Sequence, residues 1–233
     1  REGPRPFLKL RRDSWNHLVL DASVQNALSA AELAWTFEKY AAEKCWKDLK
    51  QSGRPFGHQL CTLFENALLA GHELLEAWAG SGTGTSGLSV HRSAIEPHAQ
   101  DRFREVLDVL IDGLRDTGEQ LIATAPELVD RWWSVEYPLF RRLALHLLGL
   151  SPVLDPSAKI RWLLDHDLIF DYHTKHETYA VLRNHLRDAS PELRDALLKR
   201  VAQGPTFDHE VETRHIDYMK YNVLVGITAA DPA

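Results

Sequence analysis

The chain has 233 residues, of which 44% are hydrophobic and 26% are charged, and its formal net charge at pH 7 is −6. This composition is typical of a globular protein that is long enough to bury a sizeable core. The one basic cluster, Lys9-Leu10-Arg11-Arg12, is too short to form the basic face of a nucleic-acid or anionic-membrane binding protein. No stretch approaches the roughly 18 consecutive apolar residues of a transmembrane helix, so we expect no membrane partner.

The cysteines and the chain ends predict a cytoplasmic protein. Cys45 and Cys61 are too few for a disulfide framework, and both lie in helix-like patterns, which predicts two buried free thiols in a reducing compartment. The chain begins at Arg1 without a signal peptide and finishes in a turn-like sequence at Ala233. We therefore interpret it as a region of a larger intracellular protein, in which any catalytic module would lie outside this region.

Residues 1–80 predict an irregular N-terminal segment followed by a long helical hairpin. Ser29-Ala-Ala-Glu32 has the spacing of a capping box, which predicts a helix that begins there and continues to about Lys50. Its inner face would carry apolar residues at helical spacing, among them Phe37 and Tyr40. A second, antiparallel helix is predicted over about 56–79. On it, His72-Glu73-Leu-Leu-Glu76 lacks the second histidine of a zincin motif, so we interpret His72 as an exposed polar residue.

Residues 81–96 predict a flexible loop. Gly80-Ser-Gly-Thr-Gly-Thr-Ser-Gly87 contains only glycine and hydroxyl residues. A phosphate-binding P-loop needs a lysine before the serine or threonine and a strand before the loop, and both are missing here. A flexible surface loop is therefore the better interpretation.

Residues 97–233 predict a helical-repeat region. The first helix, from about His98 to Ala123, carries the carboxylates of Asp108, Asp112 and Asp116 at spacings of four residues. We expect these carboxylates to form a solvated face that pairs with arginines at 104 and 115. Later helices are predicted over about 125–133, 175–186, 191–202 and 208–225, and two more are predicted to begin near Pro138 and at Pro156. Pro156 and Pro191 each follow an N-cap residue.

A seven-residue pattern recurs within this region. His146-Leu-Leu-Gly-Leu-Ser-Pro152 and His185-Leu-Arg-Asp-Ala-Ser-Pro191 share four residues at identical spacing, 39 positions apart. Helix pairs that repeat about every 40 residues are typical of α-solenoids of the HEAT or armadillo type. The predicted fold class is therefore all-α, an array of stacked antiparallel helical hairpins. Two unrelated helical hairpins that match by coincidence stay open as the alternative.

Three segments of this region also resemble a known group of proteins. They are Tyr137-Pro-Leu-Phe-Arg-Arg-Leu-Ala-Leu-His146, Trp162-Leu-Leu-Asp-His-Asp-Leu-Ile-Phe-Asp171 and His176-Glu-Thr-Tyr-Ala-Val-Leu182. Their helix ends and apolar positions, within roughly 127–205, resemble helical-repeat regions of large bacterial anti-phage defence proteins. There the array accompanies a STAND-class NTPase or a SIR2-like NAD-consuming domain. Because neither catalytic motif occurs here, the resemblance implies a scaffold without catalytic residues or a cofactor.

The densest group of candidate metal ligands lies just after the helix predicted to end near residue 165. His166-Asp167 resembles the doublet that binds metal in HD-type phosphohydrolases, and His173 and His176 follow it closely. A metal site requires that such ligands converge on one pocket. Imidazole and charged groups at a helix C-terminus also interact favourably with the helix dipole. We therefore favour a chain without catalytic or metal-binding residues and keep a metal-dependent HD-like phosphohydrolase as the alternative.

Trp132 and Trp133 are the candidate partner-binding residues. Neighbouring side chains on a helix point about 100° apart, so one ring can face the core while the other is exposed or packs on a neighbouring repeat. Aromatic side chains dominate the energetics of protein interfaces. We therefore expect a non-catalytic scaffold or interaction region that contacts a protein partner, other domains of the same chain or another protomer. A purely structural linker is the third interpretation.

Overall fold

The computed structural model describes residues 4–10, 31–79, 92–97, 105–207 and 212–230. Within these ranges the chain is mostly helical, which confirms the coarse form of the predicted class, and it adds two short paired strands that the all-α prediction missed. The strands are β1 (Pro6–Leu10) and β2 (Ala31–Trp35). The helices are α1 (Lys39–Gln51), α2 (His58–Ala79), α3 (Val106–Leu121), α4 (Leu128–Trp133), α5 (Pro138–Leu150), α6 (Pro156–Asp165), α7 (Lys175–His185), α8 (Pro191–Gln203) and α9 (Thr213–Ala230), and a 3₁₀ turn lies at Leu168–Phe170.

Strand β2 replaces the predicted start of the first helix. Glu32, the last residue of the expected capping box, lies in β2 opposite Lys9 of β1, whereas Ser29 lies outside the described residues. The antiparallel pairing satisfies across the sheet the backbone groups that a helix would satisfy locally. Helix α1 therefore begins only at Lys39. Tyr40, expected to face inward, is 80% exposed, and Trp46 is the buried residue of α1.

The contacts divide the chain into two compact units, which are 1–92 with 99–121 and 93–98 with 122–233. In the first unit α3 packs against α1 and α2, and α2 also contacts β1. The crossing of α2 and α3 is close at Gly113, where an added Cβ would lie 2.5 Å from Cζ of Phe64. A glycine at this position is what allows the two helices to approach.

Two expectations for the first unit are wrong in burial. His72, interpreted as an exposed residue, is completely buried on α2. Of the two cysteines expected to be buried, Cys61 is buried but Cys45 is exposed. Residues 92–97, the end of the predicted flexible loop together with Pro97, include the buried side chains of Arg92 and Ile95, whereas residues 80–91 lie outside the described part of the chain.

In the second unit, each helix packs against helices one or two places away in sequence. α7 contacts α5, α6 and α9, α8 contacts α6 and α9, and α4 packs on α5. The contacts between helices two places apart form two layers, one of α5, α7 and α9 and one of α6 and α8. Most of the predicted inward residues are buried in these helices, among them Phe140, Leu143, Ala144, Leu147, Leu148, Ile160 and Leu163.

The helix starts of the second unit follow the caps read from the sequence. The Oδ1 atom of Asp155 accepts a hydrogen bond of 2.8 Å from the backbone N–H of Ala158, as expected for the N-cap of α6. Ser190 occupies the N-cap position of α8, but its side chain makes no capping hydrogen bond. Among the described residues, no helix is both long enough and apolar enough to cross a bilayer.

Candidate functional site

His166 and Asp167 lie at the C-terminal end of α6, and their side chains contact different residues. The His166 ring stacks on the Trp162 ring with centroids 3.8 Å apart, and its Nδ1 atom lies 2.8 Å from the Trp162 carbonyl oxygen. Asp167 adopts a left-handed conformation with φ 53° and ends the helix, and its Oδ1 atom accepts a 2.6 Å hydrogen bond from Nε of Arg200. Both residues therefore take part in ending α6 and in contacts to neighbouring helices.

His173 and His176 contact other residues than His166 and Asp167 do. His173 is exposed, and its backbone N–H donates to Oδ1 of Asp171 at 3.1 Å. Nε2 of His176 lies 3.0 Å from Oε1 of Glu96, and this hydrogen bond holds the pKa of Glu96 below its ordinary value. Within the described ranges no three His, Cys, Asp or Glu side chains are grouped to hold a metal ion. The structure thus does not converge the four candidate ligands on one pocket.

The carboxylates on α3, which were expected to face solvent, are buried at Asp108 and Asp112. The guanidinium of Arg92 lies 3.2 Å from Oδ1 of Asp108 and 2.7 Å from Oδ1 of Asp112. Arg115 adds a contact of 2.8 Å to Asp112, as predicted, while residue 104 lies outside the described part of the chain. Sequence inspection missed Arg92 because it follows a long glycine-rich stretch. The cluster anchors the chain before α3 and is a structural ion network.

The two candidate partner-binding tryptophans differ in exposure. Trp132 is completely buried, and Trp133 is partly exposed. The Trp133 ring packs edge-to-face on Trp162 of α6 with centroids 4.9 Å apart, and the Arg141 guanidinium lies 5.4 Å from its centroid. Of the pair, only Trp133 therefore has side-chain surface available to a partner, and part of that ring already joins α4 to α6.

A more exposed apolar surface lies on α9, and sequence inspection did not single it out. Tyr221, Leu224 and Val225, here named the α9 stripe, are 63%, 43% and 48% exposed. Gly226 faces α7, where an added Cβ would lie 3.2 Å from the Tyr179 ring. At about 100° per residue, Tyr221 and Leu224 lie on the opposite side of α9 from Gly226. The sequence signal that could have indicated this surface is the presence of apolar residues on both faces of the last helix.

No family model, no curated protein and no solved structure matches this chain. The case for a function therefore rests on the packing and on the exposed surfaces of the chain itself.

Proposed function

We propose that the chain is a non-catalytic helical scaffold of the α-solenoid type, within a larger cytoplasmic protein, and that the α9 stripe is its contact surface. The packing of the second unit supports this proposal. Each of α5, α7 and α9 contacts the next member of its layer, as neighbouring repeats do in HEAT and armadillo arrays. The starts of α5 and α7 at Pro138 and Lys175 are also separated by nearly the predicted repeat length.

The observation that carries the proposal is the α9 stripe. α7 is covered by α5 on one side and by α9 on the other. Helix α9 has α7 behind it, exposes Tyr221 and Leu224 on its far side, and exposes Val225 next to them. A group of large apolar side chains exposed on one helix face is typical of an interface. The fitting occupant is an amphipathic helix of a partner protein, because a helix is what covers every other member of this layer.

The resemblance to anti-phage defence proteins agrees with such a role. In those proteins the helical array stands beside an NTPase or NAD-consuming effector domain, and a contact on the array would be passed to that domain. We extend the proposal to this setting, in which the chain senses or holds a partner while the chemistry takes place elsewhere. Trp133 remains the second candidate contact residue.

Photo-crosslinking in the intact natural protein tests the α9 stripe. A benzoylphenylalanine at position 221 should form one covalent adduct of defined mass in the cells that make the protein. The matched control is the same substitution at Leu198 on α8, which is 48% exposed and should give no such adduct. An adduct of twice the mass of the protein would identify another protomer as the partner.

The captured protein is then purified and titrated against the wild-type chain and the Tyr221→Ser variant. We expect the substitution to weaken binding at least about tenfold, since buried aromatic residues are typical interface hot spots. Equal crosslinking at positions 198 and 221 would contradict the proposal. Equal affinity of the wild-type chain and the Tyr221→Ser variant for the captured protein would contradict it as well.

A further inference from the structure

The second unit contains a cleft lined by four large aromatic side chains among other residues. It has a volume of about 290 Å³ and lies between the segment after the 3₁₀ turn, the start of α7 and the inner side of α9. We name it the tyrosine cleft after Tyr172, Tyr179 and Tyr218, which line it together with Phe170. Tyr172 is 81% exposed and Tyr218 is 61% exposed. Hydrophobic and aromatic side chains with a few polar groups among them are the common lining of ligand sites.

Polar side chains with spare hydrogen-bonding capacity also reach this cleft. The side chains of Lys175 and Asn222 line it, and neither makes a hydrogen bond or an ion pair with any residue that the structure describes. The ammonium of Lys175 lies 5.5 Å from the Tyr179 ring centroid and so remains close to the cavity. An amide that can both donate and accept, beside an available cation, suits a polar ligand with an anionic group.

Asp171, the acidic residue of the cleft, already accepts hydrogen bonds with both carboxylate oxygens. Oδ1 of Asp171 accepts from the backbone N–H of His173, and Oδ2 accepts from the Thr174 hydroxyl at 2.7 Å. The carboxylate therefore stabilises the turn that leads into α7. Among the described residues that line the cleft, which also include His215, Lys175 is the ammonium left for a ligand, and this favours an anion over a cation.

We propose that the tyrosine cleft binds a nucleoside monophosphate. The base would stack on Tyr172 and Tyr218, because aromatic rings stack on heteroaromatic bases with little dependence on sequence. Asn222 would bind the edge of the base by donating and accepting hydrogen bonds, and Lys175 would bind the phosphate as a point charge. The volume lies just below the range for small-molecule sites, about 300–1,000 Å³, which suits one nucleotide rather than a dinucleotide.

This inference does not depend on the scaffold role. The α9 stripe and the tyrosine cleft share helix α9 but no residue, so each can fail while the other holds. A nucleotide in the cleft would contact both α7 and α9.

Isothermal titration of the full chain with AMP, and separately with adenosine, tests the proposal. Lys175→Gln should weaken AMP binding about tenfold and leave adenosine binding unchanged, because only AMP carries the phosphate. Tyr172→Ala should weaken both ligands by about tenfold or more, because it removes a stacking surface. Tyr40→Ala is the matched control, an exposed tyrosine of the other unit, and should change neither affinity.

Several results would overturn the proposal. One is the absence of AMP binding at millimolar concentration, and another is AMP affinity that is insensitive to Tyr172→Ala. An equal effect of Lys175→Gln on AMP and adenosine would likewise contradict the phosphate contact.

A hexa-adenylate strand tests whether the same base and phosphate groups come from a nucleic-acid strand. Binding of the strand without binding of AMP would show that a free nucleotide is the wrong ligand. Circular dichroism of each variant checks that the fold is retained, and Tyr172→Phe, which keeps the ring, should retain the affinity.

Discussion

At the scale of single residues, burial sets the chemistry of His72. Its side chain is completely buried on α2, and desolvation lowers its pKa from 6.5 to about 4. The folded state therefore keeps the imidazole neutral at a pH where the unfolded chain is already protonated. The stability that results is fully present above pH 6.5 and is lost as the pH falls from 6.5 towards 4.

The pH dependence of unfolding tests this assignment. From pH 7.5 to pH 5 we expect the wild-type free energy of unfolding to fall by about 2 kcal/mol more than that of His72→Gln, since each pKa unit corresponds to about 1.4 kcal/mol. Urea titrations at the two pH values measure both slopes. His58→Gln, at the exposed start of the same helix, controls for the loss of one imidazole. Equal pH slopes for wild type and His72→Gln would show that folding leaves the pKa of His72 unchanged, which would contradict the assignment.

At the scale of elements, one buried ion pair joins three segments of the second unit. Nε and Nη2 of Arg142 on α5 each donate to a different carboxylate oxygen of Glu177 on α7, both at 3.0 Å. Oε1 of Glu177 also accepts from the backbone N–H of Ile95 at 3.0 Å. Both charged side chains are almost fully buried. A bidentate geometry of this kind fixes orientation as well as distance.

Removing one partner of this pair should lower the free energy of unfolding much more than replacing both partners with apolar residues. We expect Glu177→Ala to lower the free energy of unfolding by about 3–5 kcal/mol, because the Arg142 charge stays buried without its carboxylate. The double variant Arg142→Met/Glu177→Leu should lose only about 1–3 kcal/mol, mainly for the Ile95 N–H. Urea unfolding measures all three chains. Asp167→Asn, which removes the charge from the exposed Arg200 pair, is the control and should cost less than about 1 kcal/mol. A double variant less stable than Glu177→Ala would contradict the explanation.

The elements that the sequence predicted well are those that depend on neighbouring residues. Helix α6 begins where Asp155 and Pro156 predicted, because cap and proline act within one turn. Strand β2 was missed because its partner β1 lies more than twenty residues away, and a local capping pattern carries no information about such pairing. The burial of Asp112 was missed for the same reason, since its partner Arg92 precedes the helix. The candidate metal ligands are not grouped among the described residues, because nearness in sequence does not make side chains converge.

At the scale of the whole molecule, the two units differ in how their contacts follow the sequence. The first unit combines distant segments, as in the hydrogen bond of 2.8 Å from the Phe56 N–H to Oε1 of Gln120. In the second unit, α5 to α9 contact helices one or two places away. This difference explains why the second unit was predicted more accurately. It also predicts how a local defect spreads, because in a repeat array each element depends mainly on its neighbours.

Hydrogen exchange of two equally buried valines tests this prediction. Val181 lies on α7 between α5 and α9, and Val223 lies on α9. Truncation to alanine should cost on the order of 1–2 kcal/mol at either site, which corresponds to roughly a tenfold rise in exchange of the amides that open with it. Val181→Ala should raise exchange in α5, α7 and α9, whereas Val223→Ala should raise it in α9 and its neighbours α7 and α8 but leave α5 protected. If both variants raised exchange in α5 equally, the second unit would open as one cooperative body, and the nearest-neighbour array would be the wrong description.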